Sequence, residues 1–154
     1  MKYYLKIFCQ HNEPISPESI VNFLHDGFFF DSEPGIRIKK QDNASWVMEI
    51  KYEKGKDPVI VSKSSDDKAS QKDIEEIKFV LDASKASEEK DLISQKINSV
   101  SQVYSIEINQ EQITDDCWEM LDSVEAMLMR SCKGILFTSD NEFFDERLKK
   151  IYKL

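Results

Sequence analysis

Alternation opens the chain. Across residues 2–9, Tyr3, Leu5, Ile7 and Cys9 fall on one face of an aromatic and β-branched run, the period-two pattern of a half-buried strand. Ser16 then precedes Pro17 and Glu18, a sequence that suits a helix N-cap, a proline in the first turn and an acid near the positive helix end. Ile20, Val21, Phe23 and Leu24 give that helix its apolar face, and Asp26-Gly27 ends it. A turn around Glu33-Pro34-Gly35 leads to a short strand from Ile36 to Lys40. Trp46, Met48, Ile50 and Tyr52 then alternate ahead of Lys54-Gly55 and Val59-Ile60-Val61, which predicts a hairpin.

The period then changes. Ser70 and Asp73 form a candidate capping box before Ile74, Ile77 and Leu81 at helical spacing, and Ile93, Ile97 and Val100 continue a helical stretch after a break at Ser84 to Ser87. Ser62 to Ser70 reads as the best loop or linker in the chain. Strand alternation returns at Tyr104, Ile106 and Ile108. The clearest helix follows, over residues 115–132, because Cys117, Leu121, Val124 and Leu128 recur at i, i+4, i+7 and i+11 with Gly134 as the stop. Ile135 to Thr138 reads as a strand and Asp140-Asn141 as a turn, while residues 143–154 fit a strand or a short helix equally well.

Neighbouring strands separated by helices predict an α+β fold with a mainly antiparallel sheet and helices packed on one face. That is a two-layer sandwich, of which the ferredoxin-like fold is one form. The 154 residues suffice for one globular domain with a core of its own. Three widely spaced cysteines, Cys9, Cys117 and Cys132, show no C-x-x-C, so the count argues against a disulfide framework or a zinc ribbon and for a reducing, cytoplasmic compartment. No signal-peptide pattern opens the chain and no apolar run reaches membrane-span length.

Charge sharpens the functional reading. The net charge of −8 opposes binding to nucleic acid or an anionic membrane. It is also unevenly placed. Residues 1–63 balance nine acids with nine bases, residues 64–129 carry sixteen acids against six bases, and residues 130–154 carry four against six.

Motifs for chemistry are few. The glycines Gly27, Gly35, Gly55 and Gly134 stand alone, so no phosphate-cradling loop is written here. Cys9-Gln10-His11 places a thiol and an imidazole on one side of a strand, yet no third ligand follows at a recognisable spacing. The two S-x-x-K matches, at Ser65 and Ser87, lack the companion motifs of a serine acyl-transferase. Ser87 reads better as a helix cap. Phe28-Phe29-Phe30 and Phe143-Phe144 are best read as core edges. The sequence accordingly assigns no catalytic residue, cofactor or metal site.

One lead remains. Residues 97–129 contain seven acids and no lysine or arginine. On the long helix, Asp115, Glu119, Asp122 and Glu125 lie off the apolar stripe, and Trp118 flanks both surfaces. This arrangement points to a non-enzymatic cytosolic protein-binding module, similar in size and charge to an inhibitor or immunity protein, whose acidic helix meets a basic protein. Two other functions fit the chain. One is a small enzyme or ligand-binding protein whose groups, among them Cys9, His11, His25 and the carboxylates, converge only in three dimensions; the other is a structural homo-oligomer subunit using an exposed sheet edge or the aromatic clusters.

Overall fold

The computed structural model describes residues 2–10, 15–27, 33–40, 45–65, 68–100 and 102–154. Strand β1 (Lys2–Cys9) leads to helix α1 (Pro17–Gly27), then to a meander of β2 (Gly35–Lys40), β3 (Trp46–Lys51) and β4 (Val59–Ser65). Helices α2 (Lys68–Asp82) and α3 (Glu88–Ile97) follow, then β5 (Gln102–Asn109), α4 (Asp115–Cys132), β6 (Ile135–Thr138), β7 (Glu142–Phe144) and β8 (Lys150–Lys153). All eight strands join one sheet in the order β2-β3-β4-β5-β1-β6-β7-β8, antiparallel at every pairing.

The ferredoxin-like pattern lies at the centre of this order. β1 and β4 run the same way with β5 between them, and β5 and β6 run the same way with β1 between them. β1-α1-β4 and β5-α4-β6 are therefore two interleaved split βαβ units. The β2–β3 hairpin widens one side of the sheet, β7 and β8 widen the other, and α2 and α3 fill the connection between β4 and β5.

The α+β class and the antiparallel sheet agree with the sequence reading, and the helices divide between the sheet's two faces. α1 and α4 cover the expected face, where Ile20, Leu24, Leu121 and Leu128 meet Leu5, Ile7, Val61 and Ile106. α2 and α3 lie on the opposite face, where Ile77, Leu81, Ile93 and Ile97 meet Phe8, Val103, Ile135 and Phe143. The reason lies in residues out of phase with the main stripe: Phe8, Val103 and Ile135 point away from α4 and need a cover of their own.

Several local expectations change. α2 begins at Lys68, with Ser70 buried inside it rather than capping it, and Asp73 turns to Lys6 of β1 instead of back to the helix start. The loop expected over Ser62 to Ser70 is mostly strand β4 and the first turn of α2. Ser87 does cap α3, accepting the Lys90 N–H at 3.1 Å. Residues 143–154 resolve as β7, a turn and β8. Phe143 is buried and Phe144 half-buried, as core edges should be, while Phe28 to Phe30 lie outside the described residues.

Gly134 follows the α4 C-cap, but Lys133 adopts the left-handed conformation there, with φ 49°. The glycine is needed for close approach. A Cβ at this position would stand 3.0 Å from both the Ile7 Cγ2 and the Phe8 carbonyl oxygen.

Cys9 and Cys132 form a buried disulfide between the end of β1 and the last turn of α4, with Cα atoms 5.1 Å apart. This overturns the argument from cysteine count: the odd thiol is Cys117, buried in the core, and the pair is separated by 123 residues. Spacing signals only local pairings, so a tertiary bond of this kind left no trace in the sequence. With it goes the argument for a reducing compartment. Closing so long a loop stabilises by about 4–5 kcal/mol in the chain-entropy account. Urea unfolding of a Cys9→Ala, Cys132→Ala chain should show a midpoint well below that of the oxidised protein; coincident midpoints would mean the bond contributes nothing.

Candidate functional site

Helix α4 begins at the Thr114 cap, whose hydroxyl accepts the Cys117 N–H at 3.2 Å, with Asp115 and Asp116 at the positive helix end. Cys117, Met120, Leu121, Val124, Leu128 and Cys132 fix the helix to the sheet. On the solvent side Asp115, Asp116, Glu119 and Asp122 are exposed. None of the four takes part in an ion pair among the described residues. Elsewhere Glu18, Glu33, Glu53, Asp73, Glu107 and Glu142 each meet a lysine or histidine within 4 Å, while others, such as Glu76, Asp82 and Glu89, meet none among the described residues. Trp118 is half-buried and packs against the core edge, leaving part of its ring beside the acidic line.

Glu125 does not belong to that line. It is only 6% exposed. Successive residues turn by about 100° around a helix, so Glu125 projects about 40° from Leu121 but about 60° from Asp122, on the flank that carries Trp118. Burial, and secondarily the charge of Asp122, pushes its carboxyl up to about 8. Burial also raises Asp122, whose carboxyl is part-covered. The presented acidic surface is thus Asp115, Asp116, Glu119 and Asp122, with Glu125 protonated beneath its edge at neutral pH.

The groups expected to converge in an enzyme are not brought together. Cys9 is held in the disulfide, His11 lies outside the described residues, and His25 is exposed on α1, its Nδ1 3.1 Å from Glu33. Cys117 is enclosed in the core, where burial pushes its thiol up to about 12 and removes its nucleophilic form. Among the described residues no three His, Cys, Asp or Glu side chains gather as metal ligands. No described helix is long and apolar enough to cross a membrane. The sheet edges β2 and β8 carry Lys39, Lys40, Lys150 and Lys153, charges that oppose edge-to-edge pairing of copies.

Sequence reasoning missed two polar assemblies. At one end of the α1/α4 face, Lys63 and Gln102 are buried near Tyr104, whose hydroxyl accepts the Ile15 N–H at 2.9 Å and whose ionisation burial pushes up to about 12. On the other face, a groove of about 280 Å³ runs between α2 and the sheet. Lys6 and Asp73 pair across it at 2.6 Å, although 67 residues separate them. Their joint position follows from packing α2 over β1, which no spacing rule anticipates.

No family model, curated protein or solved structure matches the chain. Its functional reading rests on its own geometry.

The Glu125 carboxyl has a thermodynamic signature. An unfolded glutamate ionises near 4.3, whereas folded Glu125 holds its proton to about 8. Its contribution to stability is therefore full below about pH 4 and is lost as pH rises toward and through 8. Replacing Glu125 with Gln should flatten the fall in unfolding free energy, measured by urea denaturation between about pH 5 and 8.5, by roughly 2–4 kcal/mol relative to the unaltered chain. Parallel pH profiles for the two proteins would show that Glu125 ionises normally.

Proposed function

We propose that the protein is a non-enzymatic binding module whose α4 surface, formed by Asp115, Glu119 and Asp122 beside Trp118, meets a basic protein partner. The observation that carries this reading is the local excess of charge: residues 97–129 hold seven acids and no lysine or arginine. Within that stretch Asp115, Asp116, Glu119 and Asp122 are exposed, have no ion-pair partner among the described residues, and stand on a helix fixed by its buried stripe. Unpaired like charge on a rigid surface attracts an oppositely charged partner over distance and mainly raises the association rate. The half-buried Trp118 supplies the apolar contact that charge alone lacks, since aromatic side chains at the edge of a charged surface are frequent anchors.

Glu125 now has a different part from the one its spacing suggested. Protonated and covered, it adds no charge at neutral pH and supports the flank on which Trp118 sits. An inhibitor or immunity-like role suits a small acidic chain of this kind. A cytoplasmic location for it requires the Cys9–Cys132 pair to form despite the reducing conditions there, or to be kept as thiols.

The test is capture from host lysate by the tagged protein, with elution at rising salt. A specific basic partner should leave as the Debye length shrinks from about 8 Å toward 3 Å. Charge reversal at Glu119 and Asp122, combined with Trp118→Ala, should weaken capture at least about tenfold, or 1.4 kcal/mol. Equal capture by the altered chain would remove α4 from the interface.

A further inference from the structure

The groove on the opposite face has a chemistry distinct from that of α4. Its floor and one wall are apolar, made by the Tyr4 ring of β1, Phe137 of β6, and Ile77 and Val80 of α2. Its end is the β6–β7 turn, where Ser139 and Asn141 stand. Ser139 is already engaged: its Oγ accepts the Tyr4 N–H at 2.8 Å and donates to the Tyr4 carbonyl at 3.3 Å. That double contact fixes the turn against β1 and gives the groove a firm end.

The charges decide what fits. The Lys6 ammonium is committed to Asp73 at 2.6 Å and lies 6.0 Å from the centre of the Tyr4 ring. The pair is neutral as a unit. Glu76, one helical turn beyond Asp73 and so on the same side of α2, lines the rim without an ion-pair partner among the described residues. The lining thus carries one uncompensated negative charge at the edge of an apolar cleft. An anion would meet Glu76 and find the only lysine in the lining already paired. A neutral apolar molecule would leave the carboxylate uncompensated beside it.

We propose that the groove formed by Tyr4, Lys6, Glu76, Val80, Phe137 and Asn141 is a binding site for a small organic cation, a primary amine carried on an aromatic or branched apolar body. The body lies on Phe137, Val80 and the Tyr4 ring, and the ammonium meets Glu76 at the rim, with the Asn141 amide at the end formed by the β6–β7 turn. At about 280 Å³ the space lies just below the usual range for small-molecule pockets, so the ligand is small. This site is independent of α4, on the other side of the sheet, and its failure leaves the α4 reading untouched.

The experiment is a heteronuclear NMR titration of the full chain with phenethylamine to about 10 mM, which fills about nine-tenths of a site with a Kd of ~1 mM. Phenethyl alcohol serves as the neutral isostere. Saturable shifts should converge on Lys6, Val80, Phe137, Ser139 and Asn141, with the amine bound at least about fivefold more tightly than the alcohol. Glu76→Gln, a substitution at an exposed helix position, should reduce the amine to the affinity of the alcohol, and Glu76→Lys should transfer the preference to 3-phenylpropanoate. Absence of saturable shifts at these residues, equal binding of amine and alcohol, or an affinity unaltered by Glu76→Gln would each overturn the proposal.

Discussion

Strand β1 is hydrogen-bonded along both edges, to β5 and to β6, and over its last three residues it is covered on both faces. Ile7, Phe8 and Cys9 are wholly buried, with Ile7 and Cys9 toward α1 and α4 and Phe8 toward α2 and α3. At about 1.5–3 kcal/mol for each large apolar side chain removed from water, these consecutive residues tie the two helical layers to one strand. The remaining ties start from the same place. Cys9 bonds to the end of α4, Gln10 donates its N–H to the Cys132 carbonyl, Lys6 holds α2 through Asp73, and the Tyr4 backbone fixes the β6–β7 turn through Ser139.

This arrangement separates two surfaces of different chemistry. On one side, α4 spends its apolar stripe on the sheet and leaves a row of acids in water. On the other, α2 and α3 cover only part of the sheet, and the margin of that cover is a cleft with an apolar floor and a charged rim. The first surface is a charged helix face; the second is a groove of about 280 Å³. The central strand is common to both, which gives each a rigid base without a shared residue.

What was legible in the sequence follows from the range of the interactions involved. α4 was readable almost to the residue because its stripe and stop are local features, the stripe with a single period; its Thr114 cap was not read. The split βαβ core was readable as a class, since the order of strands and helices carries it. The second helical layer was hidden because it depends on Phe8, Val103 and Ile135, single apolar residues on the polar phase of their strands. The disulfide and the Lys6–Asp73 pair join positions 123 and 67 residues apart, and no local pattern records such distances. Of the acidic line, Asp115, Glu119 and Asp122 are exposed as their spacing implied, but Glu125 is not. The sequence contained that correction, because its angular position is nearer to Leu121 than to Asp122.

The most direct measurement on the central claim is carboxyl footprinting: carbodiimide labelling of the protein, read by mass spectrometry, in isolation and with its captured basic partner at low salt. The account predicts that Asp115, Glu119 and Asp122 lose reactivity in the complex and regain it when salt releases the partner, while Glu76 on the far face stays reactive throughout. Full reactivity of the α4 carboxyls with the partner still bound would contradict the assignment of this helix as the binding surface.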